Sequence, residues 1–202
     1  MSIGDLSESS PEANQCRILY EPTRDHLLTL HSWRFAKTTR ALSQTGNQPH
    51  EWLYEYDYPN DCLRVHYILP YPPVQNGIAV PHEDYEPVPY EVATGASGSR
   101  TILTNDDEAY ISYTKQVTDE RLFDPLFVQA LAWLIAIDLA IPMGGDSGQR
   151  YLDRAQKGFE STMSHAMSHS INEYEPGQPR MPANIRARHG VTVHDFYEYR
   201  RP

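Results

Sequence analysis

The sequence predicts an α+β protein: a helical bundle with a small antiparallel β-sheet inserted between the N-terminal and C-terminal helices, plus an extended C-terminal arm. Three observations carry this. Apolar residues near the N-terminus recur at helical steps, the period changes to two between residues 61 and 117, and a long apolar run from 126 is followed by an amphipathic helix. The expected division is a body over 1–170 and an arm over 171–202. Within the body, helices are expected over about 9–45 and 124–170, and the sheet region over about 61–117.

At the N-terminus, Ser9-Ser10-Pro11-Glu12 reads as a helix start, with Ser9 as cap and Glu12 able to bond back to it. Ala13, Cys16, Tyr20, Thr23, Leu27 and Leu30 then form one face. Pro22 removes a backbone donor, so a kink near Ile18 to Pro22, or two abutting helices, is expected. Trp33, Phe35 and Ala36 lead into a short second helix ending before Gly46.

In the middle third, Leu63, Val65, Tyr67 and Leu69 alternate with Arg64 and His66. "YEVATGASGSRTILTN" reads as two strands around a Gly/Ser turn. Ala109, Ile111 and Tyr113 alternate with Tyr110, Ser112 and Thr114. Together these make a sheet of about three or four strands. The proline-rich stretch from Pro70 to Pro89 is expected to be an excursion from it.

Asp124-Pro125 is the second helix start. In "LFVQALAWLIAIDLAI", residues 126–141, only Gln129 and Asp138 are polar. Such a helix should be buried on nearly every side, with Leu126, Phe127, Leu131, Trp133, Leu134 and Ile137 as core or subunit-interface residues. Pro142, Gly144 and Gly145 are expected to stop it, and Ser147 to cap a last helix whose apolar face is Leu152, Ala155, Phe159, Met163 and Ala166. Beyond 170 no amphipathic period survives. Residues 171–202 carry five arginines against four acids, whereas the first 170 carry twelve basic residues against twenty-three acids.

Composition excludes some functions. A net charge of −10 argues against a dedicated nucleic-acid binder, since phosphate neutralisation needs clustered Lys and Arg. No apolar run reaches the ~18 residues of a membrane span, so no membrane partner is expected. The two cysteines, Cys16 and Cys62, are expected to be reduced thiols in a cytosolic setting. His165 and His169 lie four apart, but no third ligand has a convincing spacing and the HExxH glutamate is missing; they read as solvated or partner-facing. "GASGS" at 95–99 lacks the P-loop lysine and reads as a hairpin turn, and Asp106-Asp107-Glu108 as a solvated turn. No nucleophile elbow is present, and no metal or cofactor is expected.

Trp52, Tyr54, Tyr56 and Tyr58 alternate, so their rings share one side of an extended chain. The interleaved Glu55 and Asp57 would repel phosphate, which disfavours a nucleic-acid stacking platform. A small-ligand pocket, in an enzyme or a binding protein, is an alternative. Packing at the junction of helices and sheet is the favoured reading, with Pro59 fixing the turn into the strand near Cys62.

The pieces W-x-F-A at 33–36, Y-P-x-D-C-L-R at 58–64 and D-P-L-F-x-x-A-L at 124–131 follow in this order with a sheet between them. Over about residues 3–170 the chain resembles the head-to-tail adaptor proteins of short-tailed bacteriophages, the tail tubular protein A-like family. The resemblance implies a structural virion protein of the neck or tail, assembled in the host cytoplasm, with no enzymatic step. Its implied partners are further copies of itself in a ring of about twelve, the portal protein, the tail nozzle or tail tube protein, and double-stranded DNA passing through without sequence-specific binding. A head-closure connector of a long-tailed phage is the neighbouring alternative. The C-terminal arm would grip the portal, which singles out Arg180, Ile185, Arg186, Arg188, Phe196, Tyr197 and Tyr199 as candidate contacts.

Overall fold

The structure, a computed structural model, describes residues 5, 7–70, 74–75, 78–79, 88–95 and 98–172. Two compact units divide the chain, Met1–Ile171 and Asn172–Pro202. The proposed arm contacts, from Arg180 to Tyr199, lie outside the described residues.

The chain mixes helix and sheet. Helix α1 spans Pro11–Leu30. Its cap is Ser10, not Ser9: the Ser10 hydroxyl accepts from the Ala13 amide at 3.2 Å, and Pro11 occupies the first helical position where no donor is needed. Pro22 does not divide the helix. It forfeits one backbone bond, but Thr23, Arg24, Leu27 and Leu28 immediately after it are buried and hold the helix in place.

The second helix expected after Trp33 is only a 3-10 turn, Arg34–Ala36, followed by strand β1, Lys37–Ala41. Thr38, Thr39 and Arg40 pair with β8, and this cross-strand context overrides local helix preference. The remaining strands are β2 (Tyr54–Asp57), β3 (Cys62–Leu69), β4 (Val74–Gln75), β5 (Ile78–Ala79), β6 (Tyr90–Thr94), β7 (Arg100–Thr104) and β8 (Tyr110–Lys115).

In place of one small sheet there are two three-stranded antiparallel sheets, ordered β1-β8-β3 and β2-β7-β6, and a β4-β5 ribbon inside the predicted excursion. The β6-β7 hairpin around the Gly/Ser turn is as the sequence predicts, with Thr94 opposite Arg100. The simple alternation expected in β3 is not observed. Register shifts between Cys62 and Arg64 and between Val65 and Tyr67 re-aim the side chains. As a result Cys62, Val65 and Ile68 join one core cluster and Leu63 joins the other.

One cluster lies within the β elements and holds Tyr56, Cys62, Ile68, Ile102, Ile111 and Tyr113. The other joins helices to the 3-10 turn through Leu27, Leu28, Trp33, Phe127, Leu131 and Met163. Trp33, Phe35, Phe123 and Phe127 interlock there, with ring centroids 4.9 to 6.2 Å apart. Two bonds hold backbone carbonyls near the end of α1. The Trp33 indole donates to the Leu27 carbonyl, and Arg64 donates to the Thr29 carbonyl in the last turn, each at 3.0 Å.

Helix α2 spans Pro125–Gly144, capped by Asp124, whose carboxylate accepts from the Leu126 amide at 2.7 Å. It runs through Pro142 but ends, as expected, at the glycines: Gly144 is its last residue and Gly145 its cap, at φ 49°. A 3-10 turn, Gly145–Ser147, leads into α3, Gly148–Asn172. Ser147 sits in that turn, and its hydroxyl takes the Arg150 guanidinium at 3.2 Å. The expected apolar face of α3 is correct: Ala155, Met163 and Ala166 are buried, and Leu152 and Phe159 half-buried.

Candidate interaction surface

Helices α2 and α3 form an antiparallel hairpin. A Cβ on Gly158 would come within 2.6 Å of the Trp133 ring, and one on Gly148 within 2.9 Å of the Ala140 carbonyl. These glycines let the two helices approach closely. One side of α2, with Phe127, Ala130 and Leu131, is buried in the helical core. A second side meets α3 through Trp133 and Ala140.

The third side of α2 has no cover among the described residues. At about 100° per residue, Val128, Ala132, Ala136, Leu139 and Met143 fall on it, with Ile135 at its edge packed against the core. Val128 is 50% exposed and Met143 41%; Ala132 is exposed, and Ala136 and Leu139 are half-buried. The expectation of burial on nearly every side is therefore wrong for this chain taken by itself. A helix apolar all round has been given two partners where it has room for three. Isolated apolar residues on a surface are ordinary, but five along one helix face make a continuous patch.

Of the predicted helix residues, Phe127 and Leu131 are core, and Leu126 and Leu134 pack against that core. Trp133 and Ile137 are half-buried. None lies in the exposed stripe. The residues that could meet a partner flank the side that carries Phe127 and Leu131, and a helical wheel alone does not say which apolar side faces outward.

The expectation that no apolar run reaches the length of a membrane span does not hold. The twenty residues of α2 are long and apolar enough to cross a membrane by length and composition, a test that core helices of soluble proteins pass as well. Phe127, Ala130 and Leu131 are fully committed to a protein core.

The aromatic stretch does not lie at the helix–sheet junction. Tyr54, Tyr56 and Tyr58 pack in or against the β cluster, and the Tyr56 hydroxyl donates to the Asp106 carbonyl at 2.6 Å. The Trp52 indole donates to Glu91 at 3.2 Å. The Cys62 thiol donates to the Tyr58 hydroxyl at 3.2 Å, and the Arg100 guanidinium stands 4.1 Å above the Tyr58 ring. Burial pushes both the Tyr58 phenol and the Cys62 thiol above their ordinary ranges, so Cys62 is a protonated thiol at neutral pH and not an activated nucleophile. Cys16 and Cys62 are both free.

Sequence reasoning missed two buried charged residues, Arg24 and Glu55, the latter expected to stand beside the rings as an exposed anion. Arg24 is nearly inaccessible and pairs with Asp25 at 2.8 Å, while the other Asp25 oxygen accepts from Gln116 at 2.6 Å. Nearby, Tyr20 donates to Glu120 at 2.6 Å, and burial with that carboxylate raises the phenol to about 12. This network ties α1 to the segment leading into α2. Among the described residues, no group of three or more His, Cys, Asp or Glu gathers as a metal site. His165 and His169 are both exposed on α3. Comparison with protein-family profiles and with curated proteins finds no match to this chain.

Proposed function

We propose that this chain is a structural assembly protein, a head-to-tail adaptor of a short-tailed bacteriophage. Its copies form a ring of about twelve between the portal and the tail nozzle. In this reading the fold is a helical bundle with the β elements inserted between α1 and the α2–α3 hairpin, and residues 171–202 form an arm that grips the portal.

The observation that carries the reading is the uncovered apolar side of α2. The chain's own core is already built from α1, the aromatic quartet and the β cluster, yet one of its most apolar helices keeps a face outside. A protein that works by contact with neighbours has a use for such a face. The resemblance in the order of motifs adds the kind of assembly. The acidic balance of the first 170 residues suits a part that passes DNA without holding it.

The test is electron microscopy of the purified chain mixed with portal rings of the virus that encodes it. A second ring capping the portal is the expected result. A chain that stays apart from the portal would remove the adaptor reading. A ring that instead binds a long-tail tube would favour the head-closure connector.

A further inference from the structure

The uncovered side of α2 does not end at α2. On α3, Arg150, Arg154, Lys157, Ser161 and His165 follow one another at steps of four, three, four and four, and all are exposed. Such steps put them in one row. Gly158 marks the side of α3 that meets Trp133 of α2, and Met163 and Ala166 the side that meets the core. The basic row therefore lies on the side away from the core, alongside the α2 stripe. Asp153 and Glu160 fall on the opposite flank of α3. In an acidic protein, this hairpin presents a face that is apolar along one helix and basic along the other.

The opposite side of the helical layer has the complementary character. Helix α1 buries Leu27 and Leu28 in the cluster that also holds Phe127 and Leu131 of α2. Its outer row is Asn14, Ile18, Glu21 and Pro22, all exposed, with Ile18 at 58%. Residues 5–30 contain five acids against Arg17 and Arg24, and Arg24 is buried against Asp25.

We propose that the α2–α3 face of one copy docks on the outer face of α1 of the next copy. Apolar α2 would meet Ile18, and the basic row of α3 would meet Glu21. This rests on the assembly reading above and names the surfaces that serve it. The two faces are different surfaces, so the contact is head-to-tail, and it closes into a ring when the rotation per copy allows. Its size fits that role. A helix of about 30 Å, contacting over about 10 Å of width, covers only a few hundred Å². A stable pair needs about 800 Å² per partner. The contact is weak between two copies and gains when each copy makes it twice.

Crosslinking of the full chain tests this. Ile18→Cys and Ala132→Cys are combined in a Cys16→Ser background and treated at high concentration with a short bis-maleimide. A ladder of covalent dimers, trimers and higher species is expected from the double variant. Each single variant alone should stay monomeric. Adding Arg154→Glu and Lys157→Glu should remove most of the ladder, with circular dichroism confirming that the fold is kept, and adding Glu21→Lys should restore part of it. Dimers from Ala132→Cys alone would show stripe packed on stripe and overturn the proposal, as would no ladder from the double variant. Flotation of the unmodified chain with phosphatidylserine vesicles, lost with Arg154→Glu and Lys157→Glu, would assign the face to an anionic lipid surface and equally overturn it. A ladder without portal binding would sink only the adaptor reading. Rings on the portal without a ladder would sink only the head-to-tail contact.

Discussion

Trp133 of α2 rests against Gly158 of α3 so closely that a single added methyl would overlap its ring, at 2.6 Å from Cε2. Gly158→Ala gains about 1 kcal/mol in helix propensity but forces the indole to move, at a cost of about 1–3 kcal/mol. Net destabilisation is expected, read as a lower urea midpoint. A rise in the midpoint would mean that Trp133 relaxes freely and does not set the hairpin spacing.

Phe127 and Val128 are neighbours with opposite fates. Phe127 is fully buried among Trp33, Phe35 and Phe123, whereas Val128 is half in solvent. Phe127→Ala should cost about 3–5 kcal/mol. Val128→Ser should change the stability of the free chain by less than about 0.5 kcal/mol while weakening assembly. Denaturation and ring formation on the portal measure the two effects separately. Trp133, being half-buried, should lose about 2 kcal/mol as Trp133→Ala, less than a fully buried tryptophan would.

His66 makes stability depend on pH. Burial, helped by Lys37 and Arg64, holds its imidazole below the ordinary value of 6.5. The unfolded chain therefore takes up the proton first as pH falls. Stability is complete above about pH 6.5 and declines below it until the folded-state pKa is passed. His31 shifts in the same direction through burial. His66→Gln should flatten, without abolishing, the fall in urea midpoint between pH 8 and pH 5. An unchanged slope would remove His66 as a contributor.

Ser112 sits at the centre of β8, with its hydroxyl buried and without a hydrogen-bond partner among the described residues. Replacing an unsatisfied polar group by an apolar one removes a desolvation cost. Ser112→Ala should be neutral or stabilising by up to about 1 kcal/mol, checked by thermal melting. A loss larger than that would mean the hydroxyl has a partner when the protein is in water.

A chain ending at Ser170 keeps the buried Met163 and Ala166 of α3. It should retain its helical circular dichroism yet fail to pull down portal rings. Undiminished portal binding would move that contact from residues 171–202 to the helical body.

Much of the architecture follows from local chemistry in the sequence. Pro11 and Pro125 each follow a side-chain cap, and apolar steps of three and four mark α1 and α3. The Gly/Ser turn between β6 and β7 is written in its own residues. These features depend only on neighbours along the chain. The β1 strand, the two bulges in β3, the burial of Ser112 and the passage of α1 and α2 through their prolines do not, because partners distant in sequence supply the energy that overrides local preference. The same holds for the candidate surface. The apolar run from 126 to 141 and the charges of α3 are plain in the sequence, but a helix apolar all round does not say which side stays open. That was decided when α1 and the aromatic quartet took one side of α2 and Gly158 drew α3 onto another, leaving Val128, Ala132 and Met143 outside beside Arg154 and Lys157.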